Sequence, residues 1–457
     1  QSVTFNNIGP GDIHLGTNAA DAGDIFNGDV VFNNSGGGRI RIGSNTAGNI
    51  FHGNLTLNNT SVVDVQSRIQ ISRFNGATTT INGTTTVNNF GNASDVQISF
   101  ETGSTTTFNG NVIINNAPTA PCDFYWGNDG DVVMNGNLTI SNSVTNNNLQ
   151  FSVGTGSVTF GNGTISIGAG GFDIGQLRFR NFTQTGTTPV NLTLTGTATQ
   201  LQVGPATTFG GDVDMRSPRL FLSGVTVAGN ARFEKTGGTE DTGAGNNTIN
   251  GTTTIVNSAN GNLRTQGNNT FNSTTTLINS GTAYLLLELS SGSTYNGNVT
   301  FTNTSTQNIR SAYAGATTFN GNLTFNNPSG TGIIFCETAG ATATLSDTYT
   351  LNVGGSGFSV GTLNLNRFTQ VGSTAQALTL TGTAILNLGP NSQFDGAVNF
   401  VSPRVLLNGT VFNGSAYIEK NGATGDSGTG NNTFNGNTTI VNSGPAFFRT
   451  NGNNIFN

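Results

Sequence analysis

The chain has 457 residues but only 16 Lys and Arg against 22 Asp and Glu, a net charge of −6 that is scattered, not clustered. Nucleic-acid or anionic-membrane binding is therefore not expected, since both need grouped positive charge, and two cysteines, Cys122 and Cys336, are too few for a disulfide framework or a thiolate metal site. Charged residues make up 8%, well below the roughly 25% of ordinary soluble proteins, yet 31 Phe among 66 Gly argue for a packed interior and not a disordered tract.

One nine-residue string organises the rest. Its clearest copy, Phe319 to Asn327, reads F-N-G-N-L-T-F-N-N. Asn-Gly reads as a tight corner taking positive φ, and Leu-Thr-Phe alternates apolar and polar with the period of 2 of a half-buried strand. In chain order, close copies start at Phe26, Phe51, Ile81, Phe108 and Met134, then at Ile249, Tyr295 and Phe434. Counted from the apolar residue before each corner, coils start at 26, 51, 81, 108, 134 and 160, then at 209, 227, 249, 271, 295, 319 and 345, and lastly at 394, 412, 434 and 456. The spacing is 18 to 30 residues, apart from two gaps of 49, each long enough for two coils. No stretch keeps a helical period, and no run approaches the roughly 20 apolar residues of a membrane-crossing helix.

A lone corner and strand cannot bury its apolar face, so the copies must bury it on one another. The expected fold is all-β: a β-solenoid (parallel β-helix) of about 19 coils, one continuous array over residues 1–457. Phe319, Leu323 and Phe325 should point inward and stack in apolar columns. Asn326 and Asn327 should either form amide ladders along a corner or serve as turn residues. A longer period lies over the first: Ser217-Pro218-Arg219 returns as Ser402-Pro403-Arg404, and Glu234-Lys235 as Glu419-Lys420, each 185 residues on. Residues 88–272 and 273–457 are thus tandem blocks, with 1–87 a partial one.

Groups that could do chemistry are few. His14 and His52 are the only histidines, with no nucleophile order around them, and His52 takes a corner position that is otherwise Asn. Asp123, Asp129 and Asp131 around Tyr125 and Trp126 read as an exposed loop between Asn116 and Met134, an aromatic-acidic site for a sugar or a cation being the alternative. Glu234, Lys235, Glu240 and Asp241 recur in part as Glu419, Lys420 and Asp426, which favours a duplicated structural ion pair over a duplicated catalytic centre. The glycines from Ile167 to Gly171 lack the Lys and Ser/Thr of a phosphate loop and read as a turn. Thr triplets (Thr78 to Thr80, Thr84 to Thr86, Thr105 to Thr107, Thr252 to Thr254, Thr274 to Thr276) could array outward as on an ice-binding face. The expectation is a non-enzymatic chain without cofactor or metal, an ice-binding or carbohydrate-active β-helix being the alternative.

Repeats of the type N-G-N-L-T-L-x-N, with Asn/Gly/Thr richness and few cysteines, resemble the β-solenoid passenger regions of bacterial autotransporters and filamentous-haemagglutinin-like adhesins. The resemblance covers nearly the whole chain and transfers no site residues. It implies a secreted protein at or outside the bacterial surface that acts as a stalk, an adhesin binding glycans or a neighbouring surface, or a fibre, without membrane insertion.

The two ends match one another. Phe456-Asn457 begins the string and Gln1-Ser2-Val3-Thr4-Phe5-Asn6-Asn7 completes it as F-N-Q-S-V-T-F-N-N. A head-to-tail homopolymer is therefore expected, with Gln1, Ser2, Val3, Thr4, Phe5, Asn6, Asn7, Asn454, Ile455, Phe456 and Asn457 at the subunit junction. A window cut from a longer tandem chain would match in the same way.

Overall fold

Each copy of the string folds as the sequence implies, into strand, corner and strand, and the copies lie in register. The structure, a computed structural model, describes residues 1–16, 22–62, 69–92, 95–143, 148–197 and 199–457. All its regular elements are strands and every ladder is parallel, giving a β-solenoid of about 18–19 turns. The chain divides into two units, residues 1–230 and 231–457.

A turn has three strands. In the first unit the first face carries the five-residue strands Val3–Asn7, Val30–Asn34, Leu55–Asn59, Thr85–Asn89, Val112–Asn116 and Leu138–Asn142, each paired with the next. The second face is built from strands such as Ile40–Ile42, Val96–Ile98 and Asp123–Trp126. The third ends on the apolar residue before the corner, as in Asn49–Phe51 and Thr105–Phe108. The second unit repeats the scheme, for example with Leu323–Asn327, Gly332–Phe335 and Ala316–Phe319.

Because partners differ by one whole turn, each residue sits on its own equivalent. Phe319, Leu323 and Phe325 are fully buried, as expected. Rings stack along the third face: Phe26 on Phe51 at 4.8 Å, Phe271 on Tyr295 at 4.8 Å, and Phe412 on Phe434 at 5.0 Å. Each such side chain contributes about 1.5–3 kcal/mol by burial. The Thr triplets split by the same alternation. Thr79, Thr106 and Thr253 point inward and are buried, whereas Thr78, Thr80, Thr105, Thr107 and Thr254 are half-buried on the outward side; outside the triplets, Thr248, Thr270, Thr294, Thr318, Thr344 and Thr369 form one half-buried outward column through six turns.

Each 49-residue gap holds an additional turn, on Phe182–Gln184 and on Phe368–Gln370. In those turns the last strand residue is a buried Gln in place of Phe. Gln370 satisfies itself by donating to the carbonyls of Val371 and Gly372 and accepting from the Gly396 N–H.

Two expectations about glycine need correcting. The Gly of the Asn-Gly corner does not have positive φ; left-handed residues lie instead at the corner between the second and third faces, such as Ser72, Ser99, Ser152, Ala312 and Cys336. The corner Gly is there because successive turns touch. A Cβ on Gly53, Gly83, Gly110, Gly136 or Gly321 would come within 2.2–2.6 Å of the glycine backbone one turn before, closer than any side chain permits. Nor is the stretch from Ile167 to Gly171 a simple turn. It belongs to the eight-residue strand Ile165–Phe172, whose ladder with Leu138–Asn142 shifts register between Ile140 and Asn142. Leu351–Phe358 repeats that bulge on Leu323–Asn327.

The asparagines do form ladders. In the first unit Asn33, Asn58, Asn88 and Asn115 each donate Nδ2 to the Oδ1 of the preceding turn's Asn, at 2.7–2.9 Å. The adjacent inner column runs the other way: Asn7, Asn34, Asn59, Asn89 and Asn116 each donate to the following turn, at 2.8–3.2 Å. The two rows of amide dipoles therefore oppose one another. In the second unit the inner asparagines donate to backbone carbonyls instead, Asn303 to Gly332 and Asn327 to Gly330 and Val360.

Asn89→Ala removes a buried donor and acceptor from the middle of the inner ladder and leaves two neighbouring amides each short of a partner. A loss of about 2–4 kcal/mol is expected in denaturant unfolding, against no more than about 1 kcal/mol for Asn88→Ala in the half-exposed row beside it. Equal losses would refute the inner ladder as a stabilising element.

Candidate functional site

The groups singled out in the sequence fall mostly into structural roles. Trp126 is fully buried, packed on Phe124 at 5.3 Å and Phe108 at 5.4 Å. The supposed exposed loop consists largely of two strands, Asp123–Trp126 and Asp131–Met134, so Trp126 faces inward by alternation while Tyr125 faces out. The acids there accept hydrogen bonds from neighbouring residues and the next turn. Asp123 takes the Tyr125 hydroxyl at 2.8 Å, Asp129 takes the Thr155 N–H at 2.9 Å, and Asp131 takes the Ser157 hydroxyl at 2.6 Å.

Lys235 and Asp241 form an ion pair at 3.1 Å with both side chains inaccessible, and Lys235 also donates to the Gly237 carbonyl. In the recurring copy Lys420 and Asp426 are again buried; Asp426 accepts from Arg404 at 2.8 Å and from the Val405 N–H at 3.0 Å. Glu234 accepts from Arg232 and Ser258, and Glu240 pairs with Arg264 at 2.9 Å. His52 sits exposed in the corner ladder, 3.1 Å from Asn82. Burial pushes the Cys122 and Cys336 thiols up to about 12, so both stay protonated and behave as small apolar groups. Among the described residues no group of three or more His, Cys, Asp and Glu could hold a metal ion, and no helix is long and apolar enough to cross a membrane.

The residues expected at a junction pair with the neighbouring turn as others do, though Val3, Ile455 and Phe456 are exposed, whereas Val30 and Phe434, the register partners of Val3 and Phe456, are buried. Val3–Asn7 pairs residue for residue with Val30–Asn34, and Phe5 stacks on Phe32 at 4.7 Å. Asn6 and Asn7 each join one amide row. Ile455–Phe456 pairs with Thr433–Phe434, with Phe456 stacked on Phe434 at 4.8 Å, while Asn454 accepts from Asn432 and Asn457 donates to Asn435.

Two features had no signal in the sequence. The first is Glu288, fully buried in the left-handed conformation at the corner between the second and third faces. It accepts from the Tyr295 hydroxyl at 2.6 Å, the Ala312 N–H at 2.8 Å and the Ser311 hydroxyl at 3.3 Å. Burial raises its pKa above the ordinary 4.5 against the pull of those donors, and burial together with Glu288 raises that of Tyr295. The second is a cleft of about 390 Å³ lined by His14, Arg41, Ser44, Asn45, Phe74, Asn75 and Glu101. These residues come from four successive turns, so only stacking brings them together. His14 and Arg41 are register partners on the outward side of the second face. Asp12 holds both, at 3.1 and 3.4 Å, and accepts from the Arg39 N–H at 2.8 Å. Although burial opposes it, those partners keep the Asp12 carboxyl below its ordinary range.

Between the unfolded and the raised folded pKa, the folded state holds a proton on Glu288 that the unfolded state has lost, so stability falls as pH rises above 4.5. Glu288→Gln replaces the titrating carboxyl with a neutral amide. Thermal unfolding across pH 4–8 should therefore show the variant gaining on the wild type as pH increases, and parallel pH profiles would contradict a buried, proton-holding Glu288. Set against family models, curated proteins and solved structures, the chain matches none of them.

Proposed function

We propose that this chain is a non-enzymatic structural protein, secreted to or beyond a bacterial cell surface, whose turns stack on further turns of the same repeat to build a fibre or stalk. The observation that carries the reading is the repetition of one step through the first five turns. There the first-face ladder and both amide rows keep one register from Val3–Asn7 to Val112–Asn116, so the edge of one such turn complements the edge of another. A turn supplied by a second copy meets the same donors, acceptors and rings as one supplied by the same polypeptide, and repeated end-to-end contact of this kind gives an open filament. The acids and the buried lysines support the reading, since they bridge turns or satisfy buried backbone. So does the low charge, which offers little repulsion between copies. The bacterial surface setting rests on the resemblance of the repeats to autotransporter passengers and filamentous-haemagglutinin-like adhesins.

The test uses residues 1–457 produced alone and followed by electron microscopy and sedimentation. Filaments of uniform width are expected. Deleting residues 1–7 should abolish them while the far-ultraviolet dichroism remains that of a β protein. Dispersed single particles of residues 1–457, or filaments undiminished by the deletion, would overturn end-to-end assembly through residues 454–457 of one copy and 1–7 of the next.

A further inference from the structure

The cleft on the second face does nothing for stacking, and its lining differs from the rest of the surface. Further along the same face the outward column carries Gln70, Gln97, Tyr125, Gln150 and Arg178, one side chain per turn. Here an imidazole, a guanidinium, a carboxylate, two amides, a hydroxyl and a phenyl ring converge on one concavity. Its volume lies within the roughly 300–1,000 Å³ of small-molecule sites.

The lining selects a chemical class. Arg41 disfavours a cation, and Glu101, facing the same space, disfavours an anion. A purely apolar ligand would strip water from Glu101, Asn45 and Asn75 without replacing its hydrogen bonds. A ligand with one apolar C–H face and alternating hydroxyl donors and acceptors fits every wall: Phe74 meets the C–H face, Arg41 and the amides donate, and Glu101 and the amide carbonyls accept.

The walls are also pre-arranged. Asp12 fixes His14 and Arg41 from behind, the Glu101 N–H is tied to the Arg73 carbonyl at 2.9 Å, and the Ser44 hydroxyl donates to the Gly16 carbonyl at 3.3 Å. Arg73 bridges Phe74 to two further aromatic rings on the following turns, Phe100 and Tyr125. The Arg73 guanidinium lies 4.8 Å from the Phe74 ring centre and 5.9 Å from that of Phe100, and Phe100 meets Tyr125 edge to face at 5.6 Å. From this arrangement we infer that the cleft lined by His14, Arg41, Asn45, Phe74, Asn75 and Glu101 is a binding site for a neutral oligosaccharide, with one pyranose ring on Phe74 and the next toward Phe100 and Tyr125. The site is independent of the assembly reading, because stacking requires no ligand and the cleft lies on a lateral face.

The experiment is binding of the labelled full chain to an array carrying neutral hexose and N-acetylhexosamine oligosaccharides beside uronate-containing, sulfated and sialylated ones. Retention on neutral glycans is expected, reduced at least tenfold by Phe74→Ala and by the isosteric Glu101→Gln, whose folding is checked by dichroism and thermal unfolding. Tyr284→Ala, an aromatic change in the second unit, should bind as the wild type does. Absence of retention on every neutral glycan, preference for the acidic ones, or undiminished binding by a folded Glu101→Gln would each overturn the assignment. Filament formation by the same samples stands or falls separately.

Discussion

Parallel stacking in register, with neighbouring strands about 4.8 Å apart, is the constraint on which the rest of this structure depends. It forces each residue to meet its own equivalent one turn away, so only side chains that tolerate their own kind survive in a column. Phenylalanine stacks offset on phenylalanine. Asparagine donates to asparagine and accepts from the next. Glycine lets two backbones touch at the corner. Like charges do not tolerate self-stacking, and this accounts for the scarcity of Lys, Arg, Asp and Glu in the repeat better than any demand on solubility does.

Where the columns are broken, the break is handled locally. Gln184 and Gln370 replace a ring at the third-face corner and turn their amides onto nearby carbonyls. Glu288 enters the interior together with Tyr295, the tyrosine that replaces phenylalanine in the stack between Phe271 and Phe319. One polar intrusion supplies the partner for the other. The bulged strands Ile165–Phe172 and Leu351–Phe358 end their first-face ladders, and a new sheet begins with the first-face strand of the next turn, Val190–Thr193 and Gln376–Thr379.

The same constraint separates scaffold from possible function. An inward column position is answerable to its neighbours above and below, whereas an outward column tolerates unlike residues, as with His14, Arg41 and Gln70, and chemistry specific to one place is found there. The Asp12, His14 and Arg41 cluster with Phe74 and Glu101 is such a place. A cluster of this kind on the outward side leaves the parallel ladders unaltered.

Periodicity by itself determined the all-β solenoid, the inward set of Phe319, Leu323 and Phe325, and the turn spacing, because a period-2 strand repeated at a fixed interval can bury its apolar face only on its own copies. Asn326 and Asn327 marked a corner without showing whether their amides pair with each other or with carbonyls; the path of the following corner decides that, and it differs between the units. Only the tertiary structure decided that Trp126 is core and not a binding residue, since a single displaced alternation in a loop-like stretch reverses which side chains face out. It also decided why glycine occupies the corner, a contact between turns that no local string contains. The cleft has no sequence signature at all: its residues lie up to 87 positions apart, from His14 to Glu101, and became neighbours because each turn advances the chain by one strand width.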